Sequence, residues 1–237
     1  MSPRLRVLAA LAAGCLPLTG CVSPPPPLGA YTPPPGPHLA SAAPASRQAR
    51  MLSEARQFVY RVRSVACLSV GSAFDTTAGM VTNRHVAQGS SSVQVASWDG
   101  TDFVAGVDAV SRGPDLALLD SSTHFTHPAR LSDKPVAPGS PVWVAGYPRG
   151  NQLSVTHGKA VGYVSANWIG EPEKVLEITA RVKHGNSGGP VLNADGQVVA
   201  VVFAKERTGH NAIAVPISAV SHFLASPGDF TAIGCLG

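Results

Sequence analysis

The pattern of hydrophobic and polar positions changes three times along the chain. A short apolar run over residues 7–16 follows two arginines, and a proline-rich segment comes after it. From Ser46 to about Arg61, apolar residues recur mostly every three or four positions, which predicts one short helix. Beyond this helix, short apolar or alternating runs are separated by Gly, Pro, Asn and Asp, which predicts a series of strands.

About a dozen short strands with turn residues between them are typical of a β-sandwich or of a pair of barrels. A terminal helix is predicted over residues 216–225, because proline is favoured at the start of a helix. The predicted strands cover residues 65–70, 79–82, 92–98, 103–110, 116–119, 142–146, 155–164, 175–179, 191–192, 198–203 and 212–215.

Composition agrees with a β-rich globular protein. Of the 237 residues 44% are hydrophobic, enough for a buried core, and only 14% are charged. The 24 glycines and 21 prolines fit a turn-rich β protein better than a helical bundle, whose exposed faces need more Lys and Glu. The net charge is +4, but no run of Lys and Arg with interleaved aromatics is present, so a nucleic-acid partner is not expected.

The first twenty residues have the features of a bacterial lipoprotein signal peptide. Arg4 and Arg6 precede an apolar run that is too short to span a bilayer as a stable helix. The run ends in Leu18-Thr19-Gly20-Cys21, which resembles a lipobox. The sequence therefore predicts cleavage after Gly20, and a lipid such as palmitate on Cys21 that anchors the chain to the extracytoplasmic side of the cell membrane. The alternative is an ordinary signal peptide or an uncleaved apolar start, with Cys21 incidental.

The predicted organisation is a signal peptide over residues 1–20, a proline-rich linker over 21–46 and one folded domain over 47–237. Proline favours extended polyproline II segments, so the linker is expected to act as a semi-rigid spacer. No trimerisation element is found in the sequence, and a monomer is favoured.

Two cysteines, Cys67 and Cys235, fall in the predicted domain. In an oxidising compartment they are expected to form a disulfide between the domain's first strand and its C-terminus. Closing so long a loop restrains the unfolded chain by ~3–5 kcal/mol. The alternative is two unrelated buried thiols.

The most specific motif is GNSGGP at residues 185–190. An acyl-transfer nucleophile must lie on a tight turn with backbone N–H groups pointing to where an oxyanion forms, and glycines permit that geometry. The motif predicts Ser187 as nucleophile and the N–H groups of Gly185 and Ser187 as oxyanion hole. Taken alone, it also fits a glycine-rich hairpin turn with a solvated serine.

Two further segments strengthen the catalytic interpretation. His85 follows the predicted strand at residues 79–82, and its imidazole can act as general base. Asp115 precedes an apolar strand, where its carboxylate can accept from Nδ1–H of His85 and hold the ring in the reactive tautomer. Singly, His85 is more often a surface histidine and Asp115 a turn residue.

These three segments, in the order His, Asp, Ser, resemble the chymotrypsin-fold (trypsin-like) serine proteases, and specifically their bacterial HtrA/DegP-like and membrane-anchored acid-resistance-protease relatives. The resemblance covers about residues 60–225 and includes Gly71-Ser72-Ala73-Phe74 before the histidine. It implies an all-β fold of two six-stranded antiparallel barrels, with the site in the cleft between them. The acid-resistance-protease relatives also join the domain's first strand to its C-terminus.

Departures from the family pattern limit what can be transferred. Animal digestive members have Asp before the serine, where this chain has Asn186, so activation through an ion pair with a new N-terminus is not expected. HtrA proteins usually continue into a PDZ domain, which is not expected here. The resemblance places the primary substrate pocket at Arg181 and His184 before the serine, and at Val202 and Phe203 after it. Arg181 and His184 can equally point outward as solvated residues.

The sequence thus predicts a serine endopeptidase, a hydrolase of the cell envelope that acts on protein or peptide substrates and needs no cofactor and no metal. The scattered histidines show no two-ligand spacing that would predict a zinc site. Two alternatives stay open: a non-catalytic or partner-activated binding module on the same fold, and an esterase acting on envelope lipids.

Overall fold

The structure is a computed structural model that describes residues 46–120, 127–167, 174–205 and 211–228, with the side chains of residues 204 and 205 excepted. The chain separates into two units, residues 1–43 and 44–237. The predicted signal peptide and most of the predicted linker lie outside the described residues, as does Cys235.

Within the second unit the strands form two closed six-stranded antiparallel barrels, which confirms the predicted fold class. The first barrel runs in the order β1-β2-β3-β6-β5-β4 and the second in the order β10-β11-β12-β9-β8-β7. The strands of the first are β1 (Val59–Ser64), β2 (Ser69–Thr76), β3 (Gly79–Thr82), β4 (Ser92–Ala96), β5 (Asp102–Val110) and β6 (Ala117–Leu119). Those of the second are β7 (Pro141–Gly146), β8 (Ser154–Ser165), β9 (Lys174–Ile178), β10 (Pro190–Leu192), β11 (Val198–Lys205) and β12 (Ala212–Pro216).

In the part of the chain that the structure describes, the barrels are accompanied by α1 (Arg47–Ala55), α2 (Arg84–Ala87), a 3-10 turn (Pro148–Gly150) and α3 (Ile217–Ala225). Helix α1 begins after Ser46, whose hydroxyl accepts from the backbone N–H of Ala49 and so satisfies one of the free donors of the first turn. Helix α3 confirms the predicted terminal helix, with Pro216 at its N-cap.

The N-terminal helix is shorter than predicted, and the first strand lies elsewhere. Helix α1 ends at Ala55, because the β-branched and aromatic residues from Val59 onward pair with β2. Residues 65–68 connect β1 to β2, and Leu68 has a left-handed φ of 50°. Cys67 therefore lies in the turn between these strands, and its predicted place on the first strand is wrong.

Each barrel has its own apolar core, and a third cluster joins α1 and α3 to the two barrels. This joint cluster includes Met51 of α1, Phe74 of β2 and Phe223 of α3, all of which are buried. The segments that approach the proposed nucleophile from both barrels are therefore fixed to one packed body, because close-packed interiors resist relative displacement of their elements.

Candidate active site

His85 and Asp115 form a hydrogen-bonded pair on the first barrel. His85 lies in α2, the single helical turn that follows β3, and Asp115 lies just before β6. The Nδ1 atom of His85 is 2.5 Å from Oδ2 of Asp115, and the backbone N–H of His85 donates to Oδ1 at 3.0 Å. The His85 side chain is 34% exposed and that of Asp115 only 8%, so one edge of the ring faces solvent while the carboxylate is shielded.

The two residues before His85 hold the Asp115 segment in place. The side-chain amide of Asn83 donates to the backbone oxygen of Asp115 at 2.7 Å. The guanidinium of Arg84 donates to the backbone oxygens of Ser111 and Gly113, at 3.0 and 2.8 Å. The tripeptide Asn83-Arg84-His85 thus fixes both the position and the orientation of the carboxylate that the histidine needs.

Ser187 lies on the loop before β10 and is brought against the first barrel by β2. The backbone N–H of Ser72 donates to the backbone oxygen of Ser187 at 2.7 Å. A Cβ on Gly71 would lie 2.6 Å from Val86 of α2 and 2.9 Å from the same Ser187 oxygen. Only glycine fits there, which allows the residue after His85 and the backbone of Ser187 to approach the same point.

The hydroxyl of Ser187 donates to the backbone oxygen of Phe203 at 3.5 Å and makes no hydrogen bond to His85. Such a nucleophile–base bond is often long or absent in structures without substrate. To bond to His85, the Ser187 side chain would have to rotate away from Phe203.

The turn at residues 183–186 presents free N–H groups. The N–H of Asn186 donates to the oxygen of Lys183 at 3.0 Å, and Gly185 has a left-handed φ of +94°. The oxygen of His184 accepts from the N–H of Arg149 at 2.5 Å. Because N–H and C=O point in opposite directions across a trans peptide, this bond directs the N–H of Gly185 away from Arg149.

Neither the N–H of Gly185 nor that of Ser187 donates to an acceptor in the part of the chain that the structure describes. Two free backbone donors on one tight turn are what an oxyanion requires. Asn186, between them, is buried, and its Oδ1 has no partner among the described residues.

Ser72 supports this turn, and the sequence did not single it out for that role. It is fully buried, and its hydroxyl donates to the backbone oxygen of Gly185 at 2.7 Å. The hydroxyl oxygen of Ser72 in turn accepts from the backbone N–H of Tyr147 at 2.9 Å. Its own backbone oxygen accepts from the hydroxyl of Thr82 at 2.7 Å. A serine between two small residues on an apolar strand is the only signal for it in the sequence.

Replacing Ser72 with alanine is expected to lower kcat by about 10- to 100-fold with little change in KM, because the Gly185 peptide loses its support while substrate contacts remain. Steady-state kinetics on one peptide would measure this. Ser64→Ala is the matched control, since Ser64 is also fully buried and its hydroxyl bonds to Ser90, at 2.6 Å, and to the N–H of Cys67, both on the first barrel. Equal kcat losses in the two variants would contradict a positioning role for Ser72.

The residues predicted for the primary pocket differ in their placement. Arg181 and His184 are exposed next to the turn, and Phe203 is buried with its backbone oxygen at Ser187. Val202 is 1% exposed and packs in the core of the second barrel, since alternate side chains of a strand face opposite sides. Its side chain is therefore not placed to contact substrate.

No group of three or more His, Cys, Asp or Glu that could hold a metal ion occurs among the described residues. The helices of the described part include none that is long and apolar enough to cross a bilayer.

A family model for the trypsin-like peptidase domain matches residues 70–201, more than half of the chain. The chain is 38% identical over 131 residues to the serine protease Do-like HtrA of Bacillus subtilis, covering 52% of this chain and 29% of that protein. It is 32% identical over 177 residues to the serine protease Rv3671c of Mycobacterium tuberculosis, covering 70% and 44%. It is 34% identical over 128 residues to a probable periplasmic serine endoprotease, DegP-like, of Rhizobium meliloti, covering 52% and 25%.

The chain thus spans less than half the length of these curated relatives. Among solved structures, the active form of the Rv3671c protease from M. tuberculosis aligns with a TM-score of 0.68 at 28% identity. That alignment covers 89% of this chain and 99% of the solved one.

Proposed function

Since the chain belongs to the trypsin-like peptidase domain family, whose model matches residues 70–201, we propose that it is an HtrA-like serine endopeptidase. The observation that carries the proposal is the hydrogen bond between Nδ1 of His85 and Oδ2 of Asp115 at 2.5 Å. Beside it, the N–H groups of Gly185 and Ser187 on the serine loop have no acceptor among the described residues. The proposed catalytic residues are His85, Asp115 and Ser187. This combination of base, orienting carboxylate and nucleophile is suited to acyl transfer.

In the first half of the proposed reaction, Ser187 Oγ attacks the peptide carbonyl carbon while Nε2 of His85 takes the hydroxyl proton. The carbonyl oxygen becomes an oxyanion held by the N–H groups of Gly185 and Ser187. His85 then gives the proton to the leaving amine, and an ester to Ser187 remains. In the second half a water molecule, deprotonated by His85, attacks this ester, and the carboxylic acid leaves as Ser187 regains its proton. Asp115 stabilises the imidazolium in both halves.

Peptide and ester substrates separate endopeptidase from esterase activity. The purified full-length chain is expected to cleave internal bonds of casein and of a peptide library, giving products that mass spectrometry identifies. Hydrolysis of matched esters with no cleavage of any peptide would instead support the esterase.

A partner-activated module is a second candidate, favoured by the bond of the Ser187 hydroxyl to Phe203 and not to His85. If it is correct, wild type and Ser187→Ala should both retain unmodified envelope proteins on a column, and turnover should be absent from the isolated chain. Retention of intact proteins by Ser187→Ala alone, with cleavage by wild type, would support the endopeptidase.

We also propose the cellular location that the sequence predicts, which is the cell envelope, with the chain attached to the membrane by a lipid on Cys21. Its substrates there would be proteins or peptides. The similarity to a probable periplasmic serine endoprotease supports the extracytoplasmic side. Mass spectrometry of the mature N-terminus tests the anchor, with a lipid-modified Cys21 as the expected result and an unmodified one as the contrary result. Size-exclusion chromatography with light scattering would test the predicted monomer.

The pairing of Cys67 with Cys235 remains our proposal, and the disulfide-bonded state of Cys67 supports it. Replacing both cysteines with serine is expected to lower the free energy of unfolding by ~3–5 kcal/mol, because the unfolded chain is no longer restrained. Chemical denaturation with and without reductant would measure the change. If the double variant and wild type unfold at the same denaturant concentration under oxidising conditions, the pairing is absent.

A further inference from the structure

A basic groove lies beside the oxyanion turn. Its open volume is about 780 Å³, and three of its lining residues are cationic while none is acidic. We call it the basic groove; its lining includes Arg61, Trp98, Tyr147, Arg149, Leu153 and Lys183.

The three cations form no ion pair with the acidic residues that the structure describes. Among residues 46–120, 127–167, 174–203 and 211–228, no carboxylate lies within 4.0 Å of the charged groups of Arg61, Arg149 or Lys183. Asp99 lies near the groove, but Ser97 and the N–H of Thr101 engage its carboxylate. These hydrogen bonds hold the pKa of Asp99 below its usual range. Asp99 is therefore an anion, and its one negative charge beside three positive charges leaves the groove with a net positive charge that an anionic ligand can neutralise.

A hydrogen bond holds Arg61 in place in the lining of this groove. It lies on β1, is partly buried, and its Nη1 donates to the backbone oxygen of Gly150 at 3.2 Å. Burial raises the pKa of Tyr147 to about 12, so the neutral phenol donates to the backbone oxygen of Val59 and does not compete as an anion. A guanidinium has five N–H donors, and a single bond to Gly150 leaves most of them for a carboxylate.

The basic groove is next to the reacting centre. The N–H of Arg149 binds the oxygen of His184, and the oxygen of Lys183 accepts from Asn186, so two lining residues belong to the oxyanion turn or contact it. A Cβ on Gly185 would lie 2.7 Å from the backbone nitrogen of Arg149 and 3.0 Å from that of Gly150, so the groove's lining adjoins Gly185. An extended peptide advances ~3.3–3.6 Å per residue, so a substrate whose carbonyl is bound at Gly185 can reach the groove within a few residues. Val202 and Phe203, predicted for the primary pocket, do not line it, which favours the leaving-group side.

We propose that the basic groove binds an acidic side chain of the substrate, two or three residues C-terminal to the cleaved bond, with Arg61 as the specificity-determining residue. The proposal rests on the endopeptidase function proposed above. An arginine fork can hold a carboxylate by two parallel hydrogen bonds, which distinguishes Glu from its neutral isostere Gln.

The test compares peptides that differ only by Glu, Gln or Lys at the second and third positions after the cleaved bond. For wild type, kcat/KM is expected to be about tenfold higher with Glu than with Gln, and the ratio should fall as salt is added. Arg61→Gln should bring the ratio close to one, and Arg61→Glu should favour Lys. Arg63→Gln is the matched control, because Arg63 lies two residues further along β1, is exposed and does not line the groove.

Binding of the same peptides to Ser187→Ala, followed by fluorescence anisotropy, measures the groove without turnover. If wild type cleaves all the peptides with no preference for Glu, the proposed role of the groove is overturned and the endopeptidase function is left intact. An equal loss of preference in Arg61→Gln and Arg63→Gln would do the same. Tighter binding of the Glu peptides without any cleavage would support the groove and overturn the endopeptidase. If no peptide is cleaved and none is bound selectively, both proposals are overturned.

Discussion

Replacing Ser187 with alanine is expected to lower kcat for peptide cleavage by roughly 10⁴- to 10⁶-fold. The change removes the only oxygen that can form the acyl-enzyme, while the backbone N–H groups of Gly185 and Ser187 stay in place. KM should change little, because substrate binding does not require the hydroxyl. The measurement is steady-state hydrolysis of one fluorogenic peptide by wild type and variant, each purified as the full chain.

Ser218→Ala is the control for this replacement. Ser218 is exposed on α3, so its loss tests the effect of removing a serine hydroxyl that is not part of the proposed site. Its kcat should equal that of wild type. A Ser187→Ala enzyme that keeps a tenth or more of the wild-type kcat would exclude Ser187 as the nucleophile.

Replacing Asp115 with asparagine is expected to lower kcat by roughly 10⁴-fold near neutral pH. The carboxylate accepts from Nδ1 of His85, which leaves Nε2 free to take the serine proton. An amide nitrogen at the same point would donate to Nδ1, and the proton would move to Nε2. The side chain keeps its shape, so the fold should be preserved while the base is lost.

Asp133→Asn is the matched replacement outside the site, since Asp133 is exposed and makes no ion pair among the described residues. It should leave kcat unchanged. Circular dichroism of both variants would establish that each is folded. Retention of more than a tenth of wild-type activity by folded Asp115→Asn would show that this carboxylate does not orient the base.

Much of the fold was predictable because short alternating runs and turn residues are local signals. The sequence located most strands and α3, but it extended α1 to about Arg61, because the four-residue spacing of Val59 from Ala55 also fits a helix. Residues 59–64 form a strand because they pair with β2, and a single sequence does not show which strands pair. The four-residue helix α2 escaped prediction for a related reason, because one turn is too short to establish a period.

The proposed catalytic residues were visible because each lies in a local motif, whereas their supports come from distant parts of the chain. Ser72 contacts Gly185 across 113 positions, and Arg61 contacts Gly150 across 89. Arg149 acts through its backbone N–H, which carries no side-chain signature. Val202 was assigned to the substrate pocket from the family resemblance, but its side chain faces the core of the second barrel.

Labelling with a biotinylated fluorophosphonate, followed by mass spectrometry of the labelled peptide, tests the central claim most directly. This reagent reacts with serines that an adjacent base activates. A serine protease using His85, Asp115 and Ser187 should carry one label on Ser187, and His85→Ala should lose it while remaining folded. Absence of label from a wild-type chain that cleaves peptides, or a label on another residue, would contradict the claim.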